Sequence, residues 1–201
     1  MLGLKAPTDP AWAPTALADL DAVLVDHAHC ELKAASNAMS LAARHPRDTA
    51  MVLKLAELAA EEIEHFTRVV EKLAERRVPL GAPPVDTYAA ELRRRVSIDR
   101  GAPGEGTRDP LVERLLVAAL IEARSAERFS LLVGAMGPEH ELHAFYAELL
   151  ASEARHYRVF VDMAIEVTGD EARVRARLER VAEIEAEIVR SQGPARAVIH
   201  G

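Results

Sequence analysis

Two stretches of this 201-residue chain carry side chains able to hold a metal ion: AEEIEHF at 60–66 and ASEARHY at 151–157. Each contains a Glu-x-x-His, Glu62/His65 and Glu153/His156, within a run of helical periodicity. Residues three apart on a helix share a face about one turn apart, so a carboxylate and an imidazole at that spacing can grip one ion together. Thirty-one residues upstream of each pair stands another glutamate, Glu31 in the first case and Glu122 in the second. Glu31, Glu62 and His65 thus map onto Glu122, Glu153 and His156 under one constant offset of 91 residues. A lone Glu-x-x-His is common on exposed helices. Two copies, each with a glutamate at the same upstream distance, are hard to obtain by accident.

Four carboxylates and two imidazoles drawn from four helices can hold two divalent ions, the di-iron or di-manganese carboxylate arrangement. Four carboxylates also neutralise two divalent cations, so such a centre can be buried without net charge. Oxygen and imidazole donors suit iron or manganese; zinc more often recruits cysteine or several histidines, and calcium rarely takes imidazole. Two irons a few ångströms apart can share the reduction of dioxygen, so oxygen chemistry is expected, with the protein supplying position and a dry pocket. Symmetry separates the ligands from their neighbours: Glu61 corresponds to Ser152, and Glu127 to Ser36. Glu57 and Glu148 do correspond, but each lies five residues, about 140° of helix, from its ligand glutamate and is read as solvated or as a support behind the ligands. His27 and His29 have no matching partners and are assigned to packing or hydrogen bonding, and Cys30 to a small buried residue. Val69, four residues past His65, leaves no tyrosine there to store a radical.

The elements that must position these residues follow from turn and cap signals. Residues 1–14, with Pro7, Pro10 and Pro14, read as an extended arm anchored by Trp12. Thr15 is the expected N-cap of a first helix to about Arg44, whose apolar face runs through Leu17, Leu20, Leu24, Ala35, Ala38 and Leu41. His45–Asp48 is a turn, and a second helix follows to about Arg77. Glu31 and Glu62 lie at nearly equal distances from that bend, about 22–24 Å at about 1.5 Å per residue. Glu122 and Glu153 straddle a turn at Gly137-Pro138 in the same way. Residues 78–109 hold Pro79, Pro83, Pro84, Gly101, Pro103, Gly104 and Gly106 and suit one long crossover, interrupted by a short helix near Tyr88–Ile98. Asp109-Pro110 starts the third long helix, Gly169 ends the fourth, and 170–192 forms an additional polar helix expected to pack on the outside. The expected fold is all-α: one domain over 1–201, a four-helix bundle of two antiparallel hairpins joined by a long crossover, with extra peripheral helices.

Composition narrows the function classes. The formal net charge of −7 provides no global positive field to attract nucleic acid, although a local basic surface remains open. One cysteine excludes an internal disulfide framework, a cysteine-based zinc site and an iron–sulfur centre of the chain's own. No signal peptide and no bilayer-length apolar run are visible, so a cytoplasmic protein without a membrane partner is expected.

Beyond the ligands, the blocks DHAHCELKAAS (26–36), AEEIEHF, IEARSAERF (121–129) and ASEARHY resemble the bacterial tRNA-(2-methylthio-N6-isopentenyladenosine) hydroxylase family, MiaE. The resemblance extends over most of the chain. It implies a ferritin-like bundle in which Glu31, Glu62, His65, Glu122, Glu153 and His156 bind two non-haem irons. It also implies a monooxygenase that uses O2 to hydroxylate the isopentenyl group of 2-methylthio-N6-isopentenyladenosine at position 37, in the tRNA anticodon loop. Two external electrons per turnover then require a separate reductase or ferredoxin, and a monomer is expected. Arg93, Arg94 and Arg95 are candidates for phosphate contacts, and Tyr88 for stacking on a base. Arg76, Arg77, Arg100 and Arg108 flank or lie in the crossover, and Arg173, Arg175, Arg177 and Arg180 form a second basic group; for all of these a solvated face is the competing assignment. Two other classes share the metal site, a ferritin-like ferroxidase that handles iron and a manganese catalase; assembly into a large shell marks the first and peroxide consumption the second.

Overall fold

In the computed structural model the described residues are 2–83, 87–99, 109–193 and 195–200. Among them the secondary structure is entirely helical: α1 (Trp12–Ala18), α2 (Leu20–Arg44), α3 (Thr49–Glu75), α4 (Thr87–Ile98), α5 (Pro110–Ala135), α6 (His143–Thr168) and α7 (Glu171–Ser191). The chain divides into two compact units, Met1–Pro14 with Asp86–Ala195, and Thr15–Val85 with Arg196–Gly201.

The second of these units is a hairpin in which α2 packs along α3. Asp48 caps α3 by accepting from the Met51 amide, and the helix then shows one buried stripe: Met51, Leu55, Leu58, Glu62, His65, Val69 and Leu73. Steps of three and four keep such residues on one face. Glu62 and His65 therefore occupy places where leucine or valine would satisfy packing. Glu31 lies thirteen residues before Arg44, the end of α2, and Glu62 thirteen after Thr49, the start of α3, so the hairpin sets both at one level. The chain's end returns to the same hairpin. The Asp26 carboxylate accepts from the backbone amides of Ile199 (2.5 Å) and His200 (3.2 Å), and both residues are buried.

In the other unit α5 packs along α6, and α7 lies against α4, α5 and α6. Leu115 to Leu120 of α5 are all buried without a break, the mark of a helix covered on every side. α6 is one-sided, with Leu149, Glu153, His156, Phe160 and Met163 buried in steps of four and three. Gly169 ends it at φ 65°, the left-handed conformation glycine adopts without strain. Arg124 is fully buried and binds in several directions: to the Ala6 carbonyl, to Thr8, to Glu127 and bidentately to Glu185. This fastens the N-terminal arm and α7 to α5. Arg177 grips Glu113 through two bonds (2.8 and 2.6 Å) and Asp99 through a third (2.6 Å), pinning the residues on either side of 100–108.

Three sequence expectations change. The arm is not extended to residue 14, because a helical turn begins at Trp12; the Trp12 amide bonds to the Asp9 carbonyl, and Pro14 stands in a first turn where a missing N–H costs nothing. Nor does Thr15 cap the first long helix. Asp19 does so, accepting from the Ala22 amide, with φ −145° breaking the helix between α1 and α2. The C-terminal helix is not merely external: Val174, Leu178, Val181, Ile184 and Ile188 are buried, together with Arg177 and Glu185. Trp12 is an anchor as expected, 2% exposed with the Arg128 guanidinium 5.3 Å from its ring. Four elements match their predicted spans: the short crossover helix, the Asp109 cap with Pro110, the Gly169 stop and the 171–191 helix.

Candidate metal centre

In the α2–α3 unit the structure brings Glu31, Glu62 and His65 together, with ligand atoms of all three within 4.8 Å of one another. All are buried, Glu62 completely. The His65 Nδ1 lies 3.5 Å from Glu62 Oε2 and 3.7 Å from Glu31 Oε2. These separations exceed a good hydrogen bond. They are what two ligands of one ion show when each stands about 2.0–2.2 Å from it. Glu31 is held from its other side: its Oε1 is 2.6 Å from Nε2 of His27, one turn earlier on α2.

The electrostatics suit a cation. Burial works to raise the Glu31 pKa, but the hydrogen-bonded His27 and the nearby His65 imidazole outweigh it and hold the carboxyl well below the usual range. Glu31 is therefore ionised at neutral pH. Burial opposes a charged His65, yet the Glu31 and Glu62 carboxylates overcome it and push its pKa up to about 10. Without a metal, the pocket answers its own negative charge by holding a proton on His65.

In the α5–α6 unit, ligand atoms of Glu122 and His156 approach within the same 4.8 Å. Glu153 is buried on α6 one turn before His156. Each hairpin thus supplies, from its own core stripe, a glutamate on one helix and a Glu-x-x-His on the next. Buried oxygen and imidazole donors in this proportion fit iron or manganese.

The neighbours sort as the symmetry indicated. Glu57 and Glu148 are exposed. Glu127 binds Thr8 and Arg124, and Val69 is fully buried. Cys30 differs from its expectation: it is half-buried, its thiol 3.8 Å from Asp26. His29 is buried and His27 hydrogen-bonded, so the bonding expected of His27 is present; its i, i+4 spacing to Glu31 could have named the partner. The i, i+3 spacing of Arg124 to Glu127 signals one of its partners, but its contact with Glu185 and that of Asp26 with the Ile199 amide span 61 and 173 residues and leave no local signal.

The basic residues fare differently. Tyr88 offers no stacking face: it is 1% exposed and its hydroxyl donates to Glu185 at 2.9 Å. Arg94 and Arg95 both bind Glu91, whereas Arg93 is exposed. Arg177, Arg180 and Arg175 serve ion pairs with Glu113, Asp99, Glu183 and Glu171. Arg76 binds Asp21 at 2.6 Å. Arg100 and Arg108 lie outside the described residues. Among the described residues no helix is long and apolar enough to cross a membrane.

Comparison with known proteins agrees with this geometry. Residues 2–200 match the family described as tRNA-(MS[2]IO[6]A)-hydroxylase (MiaE). A tRNA 2-(methylsulfanyl)-N(6)-isopentenyladenosine(37) hydroxylase of Pseudomonas putida is 40% identical over 188 residues, 94% of this chain and 87% of that protein. The protein of the same name from Salmonella typhimurium is 26% identical over 239 residues, covering 94% of this chain and 84% of its own. Among solved structures, a Synechococcus protein with aldehyde deformylating oxygenase activity superposes with a TM-score of 0.85 at 35% identity, over 98% of this chain and 95% of its own. The fold is all-α and ferritin-like, with α2, α3, α5 and α6 as its four long helices. On the match of almost its whole length, the chain belongs to the MiaE family of tRNA hydroxylases.

Proposed function

We propose that this protein is a di-iron monooxygenase that hydroxylates the isopentenyl group of 2-methylthio-N6-isopentenyladenosine at position 37 of tRNA. The observation that carries the reading is the buried glutamate facing a buried Glu-x-x-His in each hairpin, in a chain that matches a tRNA hydroxylase family over residues 2–200. In this reading Glu31, Glu62, His65, Glu122, Glu153 and His156 together hold two irons. Bound there, the irons would supply the activation of dioxygen that breaking a C–H bond of the prenyl group requires. The balance is R–H + O2 + 2 e⁻ + 2 H⁺ → R–OH + H2O, so electrons enter from a separate reductase or ferredoxin. The chain's own part is to hold four carboxylates and two imidazoles in position, and to exclude bulk water by the leucine, valine and phenylalanine stripes flanking them. The substrate base enters from a single-stranded loop, where it can leave its stack at low cost. Of Arg93, Arg94 and Arg95, Arg93 is the one whose side chain is exposed and makes no ion pair among the described residues, and the buried Tyr88 offers no face for stacking. A cytoplasmic monomer is the working form we propose.

The test is incubation of the reduced, iron-loaded protein with isopentenylated tRNA, oxygen and an electron supply, followed by nucleoside mass analysis. One added oxygen atom on the prenylated adenosine is expected. An unchanged mass, with electron flow demonstrated, rejects the substrate assignment.

A further inference from the structure

The two triads are alike in ligands and unlike in what stands behind them. In α2 the two oxygens of Glu31 are divided: Oε1 meets Nε2 of His27 at 2.6 Å, and Oε2 faces Nδ1 of His65 at 3.7 Å. An ionised carboxylate can only accept, so the proton of this contact is on Nε2 of His27. The His27 ring is 1% exposed and lies one helical turn before Glu31, so its position is fixed by packing. The same offset of 91 residues that carries Glu31 to Glu122 carries His27 to Ala118, which has no polar side-chain atom.

We infer that His27 is a positioning residue: by occupying Oε1 of Glu31 it presents Oε2 alone to the metal, and so sets how tightly the ion at Glu31 is held. The inference rests on the di-metal reading above. A carboxylate with one oxygen tied back binds in one mode, and its orientation is settled before the ion arrives, which lowers the cost of ordering the site. Partners of this kind, standing behind a ligand, typically change metal affinity 10–100-fold when removed. An imidazole serving one triad and an alanine at the matching place in the other predict two binding steps of unequal strength from ligands of equal type.

The experiment is an anaerobic titration of the metal-free protein with cobalt(II), followed by visible absorption and equilibrium dialysis. Far-UV circular dichroism and the thermal midpoint of the metal-free form serve as folding controls. Wild type is expected to bind two ions in two resolvable steps. His27→Leu should keep one step and weaken the other about 10–100-fold. His27→Gln, which retains an N–H donor at nearly the same reach, should restore most of the loss. Equal weakening of both steps in His27→Leu, or no weakening, overturns the inference while leaving the di-metal reading intact. Wild type that binds fewer than two ions overturns both. Should His27→Leu not fold, histidine 15N NMR of the wild-type chain decides: a downfield His27 Nε2 proton that persists on zinc(II) loading supports the contact, and its absence refutes it.

Discussion

At Glu62 two demands meet on one helix position. Its neighbours on the buried stripe of α3 are Leu58, His65 and Val69, and the side chain is wholly removed from water. An unpaired carboxylate in that place is expensive, and a pair or a metal is what makes it tolerable. Glu62→Gln keeps the volume and removes the charge. We expect the iron content of the variant to fall below two per chain. The stabilisation that iron confers should fall with it: one ion at a hundredfold excess over its Kd contributes about 2.7 kcal/mol. Iron analysis with thermal melts of loaded and stripped protein reads both, and a variant with two irons and an undiminished melt shift removes Glu62 from the site. The six buried residues proposed as ligands were legible in the sequence because duplication supplies an internal control, matching Glu31 to Glu122 and setting aside Glu61 and Glu127 through Ser152 and Ser36. The contact of His27 with Glu31 was legible only as a spacing, since a helix places many polar residues four apart without joining them.

Among the elements, boundaries set by a residue's own backbone preference were read better than those that packing decides. Gly169 and the Asp109-Pro110 pair act through their own backbone preferences and stand where expected. The break at Asp19 was not foreseen, because both Thr15 and Asp19 are good caps and packing decides between them. The last turn of α3 holds a residue that local preference would not choose. Arg77 has φ 60°, in a C-terminal motif where the Val78 amide bonds to the Leu73 carbonyl and the Arg77 amide to that of Ala74. Glycine takes that conformation without the steric cost, which is about 1–2 kcal/mol for other residues, and returns part of it as chain entropy. Arg77→Gly should therefore stabilise the protein by about 0.5–1 kcal/mol. The urea midpoint should rise at an unchanged m-value, and a lower midpoint refutes the account. The Arg177 clamp makes a prediction in pH. Burial works to raise the Asp99 pKa, but Arg177 and Arg180 outweigh it and hold the carboxyl below its ordinary value. Because the folded pKa is the lower one, this contribution is complete above about pH 4 and is lost as pH falls through the folded value. Asp99→Asn should lower stability at pH 7 and flatten the decline below about pH 4, as read from urea midpoints along a pH series. A decline as steep as wild type's places the acid-sensitive group elsewhere.

The molecule as a whole carries a formal charge of −7, yet the reading assigns it one of the most negatively charged of partners. Over distances beyond about 8–10 Å, salt screens that repulsion, so contacts at closer range decide binding. Those contacts must come from cations not already used inside the fold. Arg177 and Arg124 are buried in ion pairs, and Arg94 and Arg95 share Glu91. Such groups are poor phosphate ligands, because each would first have to give up a carboxylate. Arg93, on the exposed side of α4, makes no ion pair among the described residues and faces no such competition. Arg93→Ala should weaken binding to every tRNA tested to a similar degree. The slope of log K against log[salt] should become shallower by about 1, as for the loss of one phosphate contact. Arg94→Ala should change that slope less, since its guanidinium already spends its charge on Glu91. Filter-binding or anisotropy titrations at several salt concentrations separate the two. Equal slopes for Arg93→Ala and wild type would move the nucleic-acid surface away from α4 altogether.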